Sequence, residues 1–246
     1  MLKPFKVLTL NSISGLGLAR LPADAYQVGD AVAEPDAILV RSFKMHEMDI
    51  PASVKAIGRA GSGTNNIPVA AMSERGIPVF NAPGANANAV KELVLAGMLM
   101  AARNIVPAAR YAEGLEGDDA TLSKRVEDGK KQFAGIELPN RTLGIIGLGA
   151  IGGMVADAAL KLGMKVLGFD PNITVDAAWR LSAQVKKASS VEEIARNCEF
   201  ITLHVPLLDV TRNLINAERI RLMQPGTTLL NFARAGVVDE DAVLEG

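Results

Sequence analysis

Short apolar runs recur along the first eighty residues, each closed by glycine, proline or polar positions. KVLTL (6–10), AILV (37–40), VKAIG (54–58) and IPVF (77–80) have the length and branching of buried strands. Between the last two, PVAAMSERG (68–76) reads as a helix, with proline near its start and glycine just past its end. Strands that are apolar throughout and alternate with helices predict a parallel sheet covered on both faces. The pattern then changes. Residues 85–114 are rich in alanine, leucine and methionine and helical in propensity, with Pro107 expected to kink or end the first section. A polar stretch, 114–135, reads as a surface excursion or linker. From 141 the alternation restarts: RTLGIIG, a helix, KVLGFD, a helix, EFITLHV, a helix, TTLLNFA. The simplest organisation is two α/β units joined by a long helix.

Bulk properties narrow this little further. The chain has 246 residues, enough for one large or two modest domains. With 26 Lys plus Arg against 27 Asp plus Glu, nothing predicts bulk attraction to nucleic acid or an anionic membrane. The longest apolar run, LVLAGMLMAA (93–102), is too short to span a bilayer, and MLKPFKVLTLNS lacks a signal peptide's apolar core. A cytoplasmic protein is expected. Cys198 is the single cysteine, so no intrachain disulfide can form, and a buried apolar role is expected. Two distant histidines and one cysteine make no metal constellation.

The strongest motif is LGIIGLGAIGGMVADAALKLGMKVLGFD (143–170). Gly147, Gly149 and Gly152 form G-x-G-x-x-G between an apolar strand and a small-residue helix. Gly147 permits the tight turn, Gly149 lets backbone approach a pyrophosphate, and Gly152 lets helix and strand lie close. The N–H groups near Ala150 and Ile151 would point at the phosphates from the helix start. Asp170, ending the next strand, can accept hydrogen bonds from an adenosine ribose. Its charge would repel a 2′-phosphate, and Pro171-Asn172 offers no cation, so NAD is favoured over NADP. A glycine turn used for packing alone, or one serving S-adenosylmethionine, stays open at this point.

Three more segments accompany that motif: GRAGSGTNNI (58–67), FNAPGANANAVKELVLAGMLMAARN (80–104), and LHVPLLDVTRNLIN (203–216) followed by LLNFARAGVVDE (229–240). In this order, and over nearly the whole chain, they resemble the D-isomer-specific 2-hydroxyacid dehydrogenases. The resemblance is strongest to the branch that oxidises 3-phosphoglycerate to 3-phosphohydroxypyruvate with NAD, the first step of serine synthesis. It implies a Rossmann-type dinucleotide domain and a smaller flavodoxin-like α/β substrate domain. Here those would be residues 89–246 and 1–88. It also implies a homodimer built through the helical region 89–110.

The resemblance assigns roles residue by residue. Gly61, Ser62 and Gly63 match the loop whose amides hold the substrate carboxylate, with Ser62 also near the nicotinamide. Arg41 matches an arginine near the phosphate of a phosphorylated hydroxy acid, and Arg59 is a second candidate. Val205 and Pro206 match the loop along the adenosine side. Phe232 and Ala233 match backbone against the nicotinamide. Arg234 matches the essential arginine that pairs with the acid's carboxylate and α-oxygen, a bidentate task that suits a planar guanidinium. His204 and His46 are read as a structural and a surface histidine.

The family's mechanism also uses a histidine that takes the hydroxyl proton and a glutamate that orients it, both well beyond the arginine. Glu240 and Glu245 come too early for that role, and the sequence stops within DEDAVLEG. A C-terminally truncated chain with weak NAD affinity and little turnover of its own is therefore expected. Two alternatives stand beside the phosphorylated substrate. One is a dehydrogenase for glycerate, glyoxylate or lactate. The other is a non-catalytic, NAD-responsive binding protein.

Overall fold

In the computed structural model, which describes residues 3–245, the chain divides by its internal contacts between Asn86 and Ala87. The first unit contains β1 (Phe5–Leu10), α1 (Gly15–Leu18), β2 (Tyr26–Gly29), β3 (Ala37–Val40), β4 (Ala56–Arg59), α2 (Val69–Glu74) and β5 (Val79–Asn81). Its sheet is parallel in the order β2-β1-β3-β4-β5, the flavodoxin-like arrangement. The strand reading holds at β1, β3, β4 and β5 to within two residues. β3 is central, and Ile38 and Val40 are fully buried with Met45 and Ile57. A continuous apolar run is what a strand covered on both faces requires. β2 escaped the sequence reading because YQVG is a half-buried edge strand with no apolar alternation. Pro68 and Gly76 bracket α2 as expected, Gly76 in the left-handed region at φ 68°.

The second unit starts with α3 (Ala87–Ala102), α4 (Ile105–Glu113) and α5 (Asp119–Gly129). It continues through β6 (Thr142–Ile146), α6 (Ala150–Lys161), β7 (Lys165–Phe169), α7 (Val175–Arg180), β8 (Lys186–Lys187) and α8 (Val191–Asn197). It closes with β9 (Phe200–Leu203), α9 (Ala217–Arg221), β10 (Thr228–Asn231) and α10 (Glu240–Glu245). The parallel sheet runs β10-β9-β6-β7-β8. Numbered from β6 and read from the β8 edge, that is 3-2-1-4-5, the Rossmann order with its switch point between β6 and β9. One face is covered by Val94 and Met98 of α3 and by Val155, Ala156 and Ala159 of α6, packed on Leu143, Ile145, Val166 and Phe200. The other is covered by α8 and the segments around Ile215 and Val237.

Two expectations need correction. The long helical segment breaks at Asn104 and not at Pro107. Asn104 takes a left-handed conformation (φ 50°), and its Nδ2 donates to the Ala134 carbonyl at 3.1 Å. Pro107 sits in the first turn of α4, where its missing N–H costs no helical bond. The polar excursion at 114–135 contains a helix, α5. The Asp118 side chain caps it by accepting the Thr121 amide at 2.8 Å, and the Tyr111 hydroxyl donates to the Arg125 carbonyl at 2.7 Å. Only Gly129 of α5 is buried, so no apolar period announced it. Cys198 is fully buried, and burial pushes its thiol up to about 12, as befits a small core residue. Among the described residues no helix is long and apolar enough to cross a membrane.

Candidate functional site

In the second unit the site residues gather at the carboxyl ends of β6, β7, β9 and β10. β6 runs into Gly147, whose amide donates to the Phe169 carbonyl at 2.9 Å. Gly147 has φ 94°, and a Cβ there would lie 2.7 Å from the His204 carbonyl oxygen. Both facts demand glycine. A side chain at Gly152 would run into the carbonyl of Gly147, so the first turn of α6 lies directly on the strand end. Gly149, the residue before α6, faces open space instead. The amides of Ala150 and Ile151 belong to the first helical turn, which has no intrahelical acceptor for them. A closely packed turn, one open glycine and a helix start together fit a pyrophosphate.

Asp170 closes this turn. Its Oδ2 accepts the Leu148 amide at 2.9 Å, and its Oδ1 accepts the Asn172 amide at 3.0 Å. The carboxylate therefore holds the glycine turn to the tip of β7, a role the sequence alone did not show. Each oxygen keeps a second acceptor site for a ribose hydroxyl.

Past β9, Val205 is half-buried and Pro206 exposed. The Thr211 hydroxyl fixes this loop, donating to the Pro206 carbonyl at 2.6 Å and accepting the Leu208 amide at 2.8 Å. His204 points inward: its Nε2 and the buried Thr202 hydroxyl are 3.0 Å apart, and burial lowers the imidazole to about 4. The ring is neutral near pH 7 and structural, in line with the sequence reading.

Past β10, Asn231 builds the turn that carries Phe232, Ala233 and Arg234. Its Oδ1 accepts the Ala233 amide at 3.1 Å, and its Nδ2 donates to the Arg234 carbonyl at 3.0 Å. The exposed Arg234 side chain rests its Nη1 on the Ala233 carbonyl at 2.8 Å. Neither Asn231 nor Thr211 was picked out from sequence. The available signal was an Asx-forming or hydroxyl residue at a strand end or in a loop.

In the first unit, Arg41 follows β3 and is exposed, with its carbonyl and that of Phe43 taking the Asn66 side-chain amide at 3.4 and 2.8 Å. Arg59 ends β4, and its guanidinium lies over Gly61, where a side chain would collide with it. The Gly61–Gly63 loop is tied down at its first two residues. The Gly61 amide donates to the Arg59 carbonyl at 2.8 Å, and Asn81 Nδ2 donates to the Ser62 carbonyl at 2.7 Å. A cavity of about 180 Å³ opens at this edge, lined by Ile13, Leu39, Arg59, Phe80 and Asn81 among others. Arg59, the second candidate, is in its wall; Arg41 is not. His46 is exposed, with Nε2 3.0 Å from the Asn65 carbonyl. Among the described residues no cluster of histidine, cysteine and carboxylates could hold a metal ion.

Residues 95–246 match the model of the D-isomer specific 2-hydroxyacid dehydrogenase NAD-binding domain. The chain belongs to that family. Residues 95–246 are therefore an NAD-binding domain of the D-2-hydroxyacid dehydrogenase kind, and the glycine turn with Asp170 lies within them. Among curated relatives, a D-3-phosphoglycerate dehydrogenase of Methanocaldococcus jannaschii is 40% identical over 219 residues, covering 88% of this chain and 39% of its own length. A hydroxypyruvate reductase of Thermotoga maritima is 38% identical, covering 87% of this chain and 65% of its own. Among solved structures, the NAD+-bound 3-phosphoglycerate dehydrogenase of Entamoeba histolytica superposes with a TM-score of 0.72 at 26% identity, over 99% of this chain and 76% of its own. The chain spans about two fifths of the length of the phosphoglycerate dehydrogenase relative.

Proposed function

We propose that the protein oxidises 3-phosphoglycerate to 3-phosphohydroxypyruvate with NAD. The carrying observation is the clasped, open glycine turn with Asp170 at its edge, on a chain whose family acts on D-2-hydroxy acids. Arginines at the ends of β3 and β4 favour a phosphorylated acid. NAD, when bound, supplies the acceptor for the hydride leaving the acid's α-carbon.

The hydroxyl proton would pass to a histidine base of the kind that the family's mechanism uses, which is none of the residues placed here, and the chain's own residues divide the work of binding and orienting. The amides of Ala150 and Ile151 neutralise the pyrophosphate, and Asp170 takes the ribose hydroxyls. In the first unit, the Gly61–Gly63 loop, Ser62 included, holds the carboxylate, and Arg41 with Arg59 takes the phosphate. In the second, Val205 and Pro206 flank the adenosine side. Phe232 and Ala233 present backbone to the nicotinamide. Arg234 pairs with the carboxylate and α-oxygen and stabilises the charge that develops there. The exposed apolar residues Leu93, Leu99, Met100, Ile105 and Val106 of α3 and α4 support a homodimer through 89–110.

A substrate panel on the protein from the complete reading frame tests the reading. NADH formation should favour 3-phosphoglycerate over D-glycerate and D-lactate. The Arg41→Gln variant should narrow that preference. Equal or better turnover of the unphosphorylated acids would assign the protein to another small hydroxy acid.

A further inference from the structure

Helix α3 carries a glycine, Gly97, in its interior, where glycine is unfavourable relative to alanine. The neighbouring residues, LVLA and MLMAA, are strong helix formers, so local propensity does not ask for it. What occupies the missing side chain's place is the Phe232 ring. A Cβ on Gly97 would lie 3.1 and 3.2 Å from Phe232 Cζ and Cε2, and 3.4 Å from Leu230 Cδ2. These separations are too short for ordinary carbon contact, so the ring would have to move by a few tenths of an ångström. Phe232 is 36% exposed, so the ring is partly covered, and the notch is one of the places where it is. It lies in the same turn whose backbone Asn231 pins at Ala233 and Arg234.

We infer that Gly97 is a positioning residue: its missing side chain seats Phe232 and thereby sets where Ala233 and Arg234 lie. The inference rests on the dehydrogenase reading for the meaning of that turn, but not for its geometry. The turn therefore has two anchors. One is the Asn231 side chain, acting on the backbone. The other is the notch in α3, acting on the Phe232 ring. The second makes a helix remote in sequence part of the reacting site's alignment.

The test uses Gly97→Ala, Phe232→Leu and the double variant in the protein from the complete reading frame. Alanine favours the helix, so Gly97→Ala should melt no lower than the parent. NADH affinity should stay within about threefold, because the glycine turn and Asp170 are untouched. The nicotinamide emission of bound NADH should change, and kcat should fall about tenfold, as expected for a sub-ångström misplacement of the clamp. Phe232→Leu, which empties the notch, should by itself lower kcat and shift the emission, and adding Gly97→Ala to it should change little further, because both substitutions remove the same seat. Unchanged kcat and emission in Gly97→Ala would overturn the inference. So would a loss that follows melting temperature, or losses in the two single variants that simply add in the double variant. If the parent forms no NADH from any hydroxy acid, the functional reading falls by itself, and the emission of the variants still decides this one.

Discussion

The Asp170 carboxylate accepts the backbone amide of Leu148 at 2.9 Å, so the residue that ends β7 also fixes the turn that opens α6. The side chain holds the turn, and on the proposed function it would also face a ribose. Replacing Asp170 with alanine should weaken NADH binding about 10- to 100-fold, from lost hydrogen bonds to a charged acceptor. It should also erode the preference for NAD over NADP. Fluorescence titrations of both cofactors check this, and an unchanged NADH affinity would detach Asp170 from the cradle.

The two neighbouring glycines should fail in different ways. Gly149 faces open space, so Gly149→Ala should keep stability within about 1 kcal/mol while obstructing the pyrophosphate and reducing NAD binding. Gly152 lies on the Gly147 carbonyl, so Gly152→Ala should cost about 1–3 kcal/mol by overpacking. Urea melts beside NADH titrations separate the two. Similar stability losses in both variants would contradict the packing described.

The sequence exposed the cradle more fully than the devices around it. Strands β3, β6 and β9 were legible because burial on both faces writes a continuous apolar run. Gly147 and Gly152 were legible because close backbone leaves no room for a side chain, and Gly149 because it completes the spacing of the motif between them. Helix α5 was not, since it buries only Gly129 and rests on the Asp118 cap and the Tyr111 hydroxyl. Asn104 won over Pro107 because a proline in the first turn costs the helix nothing, whereas a left-handed asparagine ends one. Asn231 and Thr211 act through side-chain bonds to nearby backbone, and their partners become visible only once the turns are drawn.

His204 gives the fold a specific pH dependence. Burial lowers its folded pKa to about 4, against 6.5 for an ordinary histidine. The unfolded chain therefore binds the proton first. Stability from the neutral ring is complete above about pH 6.5 and is lost as pH falls from there towards 4. The full loss would be on the order of 3 kcal/mol. The carboxylates Asp36 and Glu199 are both lowered: Asp36 through its bonds to Lys55 and Lys6, and Glu199, despite desolvation that pushes it up, through Arg141 and the Thr142 amide together. Their contributions fade below the ordinary carboxylate range, leaving the upper part of the window to His204. Urea unfolding at pH 5 and pH 7.5 should show a parent difference that shrinks in His204→Gln. An equal difference in both proteins would contradict the assignment.

The turn after β10 should separate chemistry from cofactor binding. Arg234→Lys loses the planar fork and should lower kcat/KM about 100- to 1000-fold, with NADH affinity nearly unchanged. Asn231→Ala removes both backbone bonds and should cost about 1–2 kcal/mol of stability together with a smaller loss of kcat. Steady-state kinetics paired with melting curves check both. Parent-like turnover in Arg234→Lys would remove the clamp from the account.

The central claim is D-specific oxidation of a phosphorylated hydroxy acid by NAD, and its most direct test is enantioselective NADH formation by the protein from the complete reading frame. The account predicts that NADH absorbance rises with NAD and D-3-phosphoglycerate and stays at background with the L-enantiomer. Equal rates with both enantiomers, or none with either, would contradict it.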